Sequence, residues 1–223
     1  MAGRATGLRL TRATFKQVLL HCFLVLVLVS IAFVGLTEIR PAARAASGAA
    51  YYIDSASGSD SNPGISSTAP WKTLAPVQAR TLAPGDTVYL RAGSEWDGGL
   101  VIASSGVEGK PITFTTYGSG ARPIIRNTTG GEWGRAVSIN ASWIVLEGIL
   151  VRDAHEFGVS IEQGAHHNVV RNCEATAVGI GFGVAGQYNL ITGNLSHDLL
   201  MVHSDDGGDD DYGALAVCLY DSY

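Results

Sequence analysis

Gly158 to Asn172 reads GVSIEQGAHHNVVRN, and Gly179 to Gly193 reads GIGFGVAGQYNLITG. Laid one above the other, glycine meets glycine at the first position. Asn168 meets Asn189, and an apolar pair follows each asparagine, Val169-Val170 and Leu190-Ile191. The offset is 21 residues. One unit upstream, AVSINASWIVLEG (Ala136 to Gly148) repeats the triplet Val-Ser-Ile and puts Val137 22 residues before Val159. A drifting period of about 21–25 residues, built from short β-rich runs between Gly and Asn turns, marks a solenoid. Helical heptads do not fit, because the runs are too short, too β-branched and too broken by glycine. Each coil is expected to give two or three short strands to stacked parallel sheets. Val137, Ile139, Val145, Val159, Ile161, Val170 and Ile191 are expected to point inward and fill the lumen. Asn168 and Asn189 are expected to stack at a turn and satisfy backbone groups there.

The first part of the chain has a different texture. GSDSNPG (Gly58 to Gly64) is dense in turn formers. LAPVQARTL reads as a short helix with Pro76 in its first turn. DTVYLRAG alternates apolar and polar residues and stops at Gly93, as a strand would.

Residues 1–45 stand apart from this pattern. Arg4, Arg9, Arg12 and Lys16 precede an apolar run from Val18 to Leu36, and Ala43-Arg44-Ala45 fits a small-x-small cleavage site. That order predicts a secretory signal. The run is also just long enough to span a bilayer, so an uncleaved anchor is the alternative. The predicted division is residues 1–45 as signal peptide or signal anchor and 46–223 as the β-domain, on an exported, extracellular protein. A membrane enters only through that N-terminal segment.

The first 45 residues hold six of the 15 Lys+Arg and one of the 20 Asp+Glu. The remainder therefore has 9 basic and 19 acidic residues, a net charge of −10. Such a protein is a poor partner for nucleic acid or an anionic membrane, and a reasonable one for a divalent cation. Cys173 and Cys218 are too few for a disulfide scaffold and read as two buried thiols.

From Tyr51 to about Ile125, GSDSNPG, APWKTL, PGDTVYLRAG and GKPITFTTYG resemble the opening of the pectate-lyase-like superfamily of secreted right-handed parallel β-helix proteins. The coils from Val137 onward and GGDDDYGA resemble the bodies of its bacterial members. The resemblance implies an all-β fold, a right-handed parallel β-helix with a short N-terminal capping helix. It implies a carbohydrate substrate or ligand without naming one, since the superfamily includes lyases, hydrolases, epimerases and binding proteins without activity. The early helix corresponds to a lid over one end of the solenoid. ALAVCLYDSY offers no matching cap at the other, so further coils are expected in a longer protein that would be monomeric when complete.

Five carboxylates fall within seven residues: Asp205, Asp206, Asp209, Asp210 and Asp211. They repel one another, and Gly207-Gly208 lets the backbone turn the two groups together. Hard cations such as Ca²⁺ take about 6–8 oxygens from such turns, so these five are the expected metal ligands. The rival is a solvated acidic turn. The resemblance adds that calcium-dependent lyases of the superfamily hold the metal on an aspartate cluster.

The first functional expectation is therefore a Ca²⁺-assisted polysaccharide lyase acting on a uronate polymer. The metal would neutralise the sugar carboxylate and a base would take the neighbouring proton. Arg152, Arg171 and His203 are the candidates for that base, the two arginines marked by residue type alone and His203 by its place beside the acids, where it could orient a carboxylate or carry a proton. The alternatives are a carbohydrate-binding surface protein without catalysis and a glycoside hydrolase using the Asp205-Asp206 pair. The Gly-His-Gly and Arg-x-Lys of the polygalacturonase-like pattern do not occur. His166-His167 reads as a solvated pair at a coil corner. Trp71, Trp96, Trp133 and Trp143 read as residues buried against the cap, with sugar stacking as the other use.

Overall fold

The computed structural model describes residues 48–202 and 212–220. The predicted export segment, His203 and all five aspartates of the acidic run lie outside the described residues.

The first coils comprise β1 (Ala50–Ile53), the helix α1 (Ala75–Gln78), β2 (Thr87–Arg91), β3 (Glu95–Asp97), β4 (Leu100–Ile102), β5 (Ile112–Tyr117), β6 (Ile124–Asn127) and β7 (Arg135–Ile139). The repeat region contains β8 (Ile144–Glu147), β9 (Leu150–Ile161), β10 (Val169–Arg171), β11 (Glu174–Val184), β12 (Leu190–Thr192) and β13 (Leu195–His197). It closes with β14 (Met201–Val202), β15 (Tyr212–Gly213) and β16 (Leu215–Leu219).

Strands one turn of the solenoid apart pair in parallel. One sheet runs β1-β2-β5-β8-β10-β12. The second runs β3-β6-β9-β11-β13, with β4-β7 joining through β9 and β16 through β11. The long strands β9 and β11 bend, so each serves two faces of the coil. Leu150 to Ala154 pairs with β6, and Phe157 to Ile161 pairs with β7. At the bend a Cβ on Gly158 would lie 2.7 Å from the Gly181 carbonyl oxygen and 2.8 Å from Val151 Cγ2, so only glycine fits. Only β14 and β15 are antiparallel among the described strands, pairing Met201 with Gly213 and Val202 with Tyr212.

The register refines the repeat. Val137 pairs with Val159 and Ile139 with Ile161; Val169 pairs with Leu190 and Val170 with Ile191. These match the sequence alignment. The Gly158–Gly179 match does not hold: Phe157 pairs with Ile180 and Val159 with Phe182, so Gly181 stands opposite Gly158. The two residues are taken up after the strands: Ile161 and Val169 are eight positions apart, whereas their partners Val184 and Leu190 are six apart.

The lumen is packed with apolar side chains. Val137, Ile139, Ile161 and Val170 are fully buried and Val159 nearly so, as expected, with Ile191 packed at the margin. Val145 is the exception. Ile144 and Leu146 are the fully buried residues of β8, and strand alternation turns Val145 outward. Burying each such aliphatic side chain contributes about 1.5–3 kcal/mol.

Asparagines fix the corners. Asn168 Oδ1 accepts from the Ile144 N–H at 2.9 Å, and its Nδ2 donates to the Ala141 carbonyl at 3.0 Å. Asn189 Oδ1 accepts from the Asn168 N–H at 2.9 Å. Asn194 repeats the device one corner on, accepting from the Cys173 N–H at 2.8 Å.

At the start of the solenoid α1 has Pro in its first turn and buries Val77. It also covers a strand edge: Gln78 Oε1 accepts from the Val101 N–H at 2.9 Å. Cys173 is buried and Cys218 half-buried, both as free thiols. Cys218 departs from the buried reading because it pairs with Gly183, opposite Ser160, on the outward row.

Candidate active site

The second face of β9 carries a polar cluster whose members come from successive coils. Ser138 on β7 and Ser160 on β9 are register partners. Val137, Ile139, Val159 and Ile161 turn inward, so these two serines turn outward. Glu162 follows at the end of β9. Its Oε1 accepts from Ser138 Oγ at 3.1 Å and also from Ser160 Oγ. Arg135, at the start of β7, reaches the same oxygen through Nε at 3.3 Å. The other arm of that guanidinium, Nη2, lies 3.5 Å from Glu156 Oε2. One arginine thus holds two carboxylates, one on β9 and one just past its end.

Their surroundings differ. The Glu156 side chain is 7% exposed and that of Glu162 27%. Aromatic rings wall the cluster: Arg135 lies 5.5 Å from the Phe157 ring centre, and Phe157 stacks on Tyr220 at 5.6 Å. Gly183 makes room for this, since a Cβ there would sit 2.3 Å from Phe157 Cε1. The Tyr220 hydroxyl is buried without a hydrogen-bond partner among the described residues. Burial, followed by the charge of Glu162, pushes its pKa up to about 12. Tyr220 is therefore a neutral phenol near neutral pH, suited to donating a hydrogen bond and not to taking a proton.

Arg152 and Arg171 are not brought together. Arg152 lies on the first face of β9, with Nη2 3.4 Å from Glu95 and Nε 3.3 Å from Asp153. Arg126 joins the same network, 2.8 Å from Glu95. Beside it, between α1 and β3, is a cleft of about 440 Å³ that includes Lys72, Gln78, Glu95, Trp96 and Asp97. Arg171 is on the other sheet, 2.6 Å from Glu147, which also accepts from Thr115 Oγ1 at 3.0 Å. Both guanidinium groups are thus engaged by carboxylates on their own faces of the coil. Among the described residues no group of three or more His, Cys, Asp or Glu side chains is placed to hold a metal ion. The five aspartates lie outside the described residues, between β14 and β15 in the sequence.

The tryptophans divide. Trp71 and Trp96 are buried at the start of the solenoid, whereas Trp133 is 63% exposed. Trp143 stacks on His167 at 4.4 Å, and His167 on Tyr188 at 5.1 Å. His166 Nδ1 and His167 Nδ1 lie 2.8 Å apart, so the pair shares a hydrogen bond at the corner.

Sequence reasoning missed Arg135, Glu156, Glu162 and Tyr220. A signal for one of them, Glu162, was present. Once Val159 and Ile161 are assigned inward, alternation puts Ser160 and Glu162 outward. Arg135 and Tyr220 reach the cluster from one coil before and two coils after, which needs the register.

This architecture is that of a parallel β-helix. The chain belongs to the Pel9A-like right-handed β-helix family, whose model matches residues 51–213. It is 39% identical over 95 residues to a lacto-N-biosidase of Bifidobacterium longum subsp. longum, covering 39% of this chain and 6% of that protein. A solved GH136 lacto-N-biosidase from Eubacterium ramulus superposes with a TM-score of 0.59 at 20% identity, covering 66% of this chain and 34% of that one. A rhamnogalacturonan lyase superposes with a TM-score of 0.56 at 25% identity, covering 64% and 40%. The chain thus spans a small part of the curated relative and about a third of the first of these structures.

Proposed function

We propose that this chain carries the reacting carboxylates of an exported glycoside hydrolase, Glu156 and Glu162. The observation behind the reading is the shared Arg135, which holds two carboxylates of unequal burial beside an aromatic wall. Glycoside hydrolysis needs one carboxyl group to protonate the leaving oxygen and another to attack the anomeric carbon or activate water. Buried Glu156 suits the acid. Glu162 receives two hydroxyl donors and a guanidinium, which suits an anion that attacks or acts as base. Arg135 ties the two carboxylates together, and the buried Tyr220 hydroxyl beside them is a donor without a partner among the described residues. The similarity to a lacto-N-biosidase supports a hydrolase.

The polysaccharide lyase remains the rival, supported by the likeness to a rhamnogalacturonan lyase. It requires a base, and the candidates Arg152 and Arg171 are both ion-paired. One assay separates them: incubation with neutral and uronate oligosaccharides, reading reducing ends and the unsaturated-uronate absorbance together. Reducing ends without that absorbance, lost in Glu162→Gln, support the hydrolase. Absorbance that survives Glu162→Gln supports the lyase, and neither signal supports a binding protein.

Ca²⁺ on Asp205, Asp206, Asp209, Asp210 and Asp211 is proposed as a separate feature. Like charges about 4 Å apart cost on the order of 1 kcal/mol per pair even in water, and no Lys or Arg lies between Asp198 and Tyr223. Calcium at about 100 times its dissociation constant would then add about 2.7 kcal/mol of stability. Melting with and without Ca²⁺, in wild type and Asp209→Ala/Asp210→Ala, tests it. Equal melting in all four samples makes the run a solvated turn.

A further inference from the structure

Three corners of the repeating coils hold residues in the left-handed backbone region, and they are built from different materials. Gly148, Asn172 and Gly193 occupy one, with φ of 73°, 52° and 63°. Asp153, Ala177 and Asp198 occupy another, at 51°, 50° and 51°. Trp143, His167 and Tyr188 occupy the third, at 59°, 56° and 55°. That region is sterically costly for side chains with a Cβ, and Gly, Asn and Asp bear it most easily. The third corner uses a large ring in all three coils. A corner that only had to turn the chain would be served by the residues of the first.

The rings line up because the coils do. Trp143 and His167 are 12° from coplanar, and His167 and Tyr188 are 25°. Tyr188 ends the row and is 77% exposed. Alongside is a cavity of about 410 Å³ that includes Gln163, His166, His167, Gln187 and Tyr188. That volume is within the range of about 300–1,000 Å³ common for small-molecule sites. The lining pairs ring faces and edges with amide groups that both donate and accept. A pyranose has the matching halves: an apolar C–H face for the ring and hydroxyls for the amides.

Charge narrows the ligand. No Lys, Arg, Asp or Glu lines the cavity among the described residues. Glu162 immediately precedes Gln163 in the chain. A uronate carboxylate would meet no lysine or arginine there and an anion close by. We infer that the Trp143–His167–Tyr188 corner is a binding subsite for an uncharged sugar unit. Its place in a cleaved glycan rests on the hydrolase reading of Glu156 and Glu162, but sugar binding at the corner does not.

The test uses the full-length chain carrying Glu162→Gln, so that ligands survive. It is applied to an array of neutral hexose and N-acetylhexosamine oligosaccharides and of oligouronates. Neutral glycans should be retained and oligouronates not. Adding Tyr188→Ala should weaken binding about tenfold, as expected for losing a ring contact of about 1.4 kcal/mol, with an unchanged melting temperature because Tyr188 is exposed. Tyr188→Phe should keep most of the affinity. No neutral binding, equal binding with and without Tyr188, or preference for oligouronates overturns the subsite. Wild-type hydrolysis by Glu162→Gln together with Tyr188-dependent binding sinks the hydrolase reading and leaves the subsite standing.

Discussion

His167 and Asn168 are neighbours in the chain and opposites in the fold. Asn168 is fully buried, and its side chain joins its own coil to the one before through two backbone hydrogen bonds. His167 is exposed and spends its ring on Trp143 and Tyr188. The pattern recurs one coil on, where Asn189 accepts a backbone N–H and Tyr188 faces outward. The solenoid therefore has an inner code and an outer code, one residue out of step. The inner code must repeat, because each coil satisfies the next. The outer code is free to vary between coils, and variation there creates sites.

The largest effect expected from breaking the outer code is on activity. Glu162→Gln preserves shape and removes the anion, and should lower glycan hydrolysis by at least about a thousandfold while the melting temperature changes little. Glu156→Gln should do the same. Retained turnover in both would leave the Arg135 cluster as an ion pair of the wall. Breaking the inner code acts on stability instead. Asn168→Ala strands a buried N–H and a buried carbonyl, each worth about 1–3 kcal/mol, so denaturant unfolding should report a loss of about 3 kcal/mol. Asn189→Ala, at a half-buried position, should cost about 1 kcal/mol. Equal losses at the two sites would mean that burial does not set the value of the ladder.

This asymmetry explains what was legible in the sequence. Val137, Val159 and their partners repeat because lumen and corner must match between coils, so the fold could be read from two lines of text. Gly158 misled by two residues, because the turns that follow β9 and β11 differ in length without disturbing the lumen. The outer residues carry no such repetition. Ser138 and Ser160 do recur, in the Val-Ser-Ile triplets, but Asn140 becomes Glu162 across the same interval, and Arg135 faces Phe157. Arg152 and Arg171 stood out only as cations, and the structure spends both on carboxylates. A site assembled across coils from unlike residues has no linear signature.

The two cysteines sharpen the contrast at smaller scale. Burial pushes the Cys173 thiol up to about 11, so in the native state it should resist iodoacetamide at pH 8. Half-buried Cys218 should react first. Mass spectrometry of the alkylated peptides reads the order directly. Faster labelling of Cys173 would place it nearer the surface than the fold does.

The smallest expected effect is a pH dependence on the outer face. His197 lies between Asp198 at 2.8 Å and Glu174 at 3.2 Å. The hydrogen bond to Asp198, and then that to Glu174, raises its pKa above the ordinary 6.5. A raised value means that the folded state holds the proton more tightly than the unfolded chain. The stabilisation is therefore complete below about pH 6.5 and is lost as pH rises through the higher folded value. His197 is on the surface, so salt should weaken the effect. Wild type should melt above His197→Gln at pH 5.5, and the two curves should converge by pH 8.5, with a smaller gap at pH 5.5 in high salt. A gap that is constant with pH would mean that the imidazole acts there by packing alone, and that the outer face of β13 owes nothing to its charge.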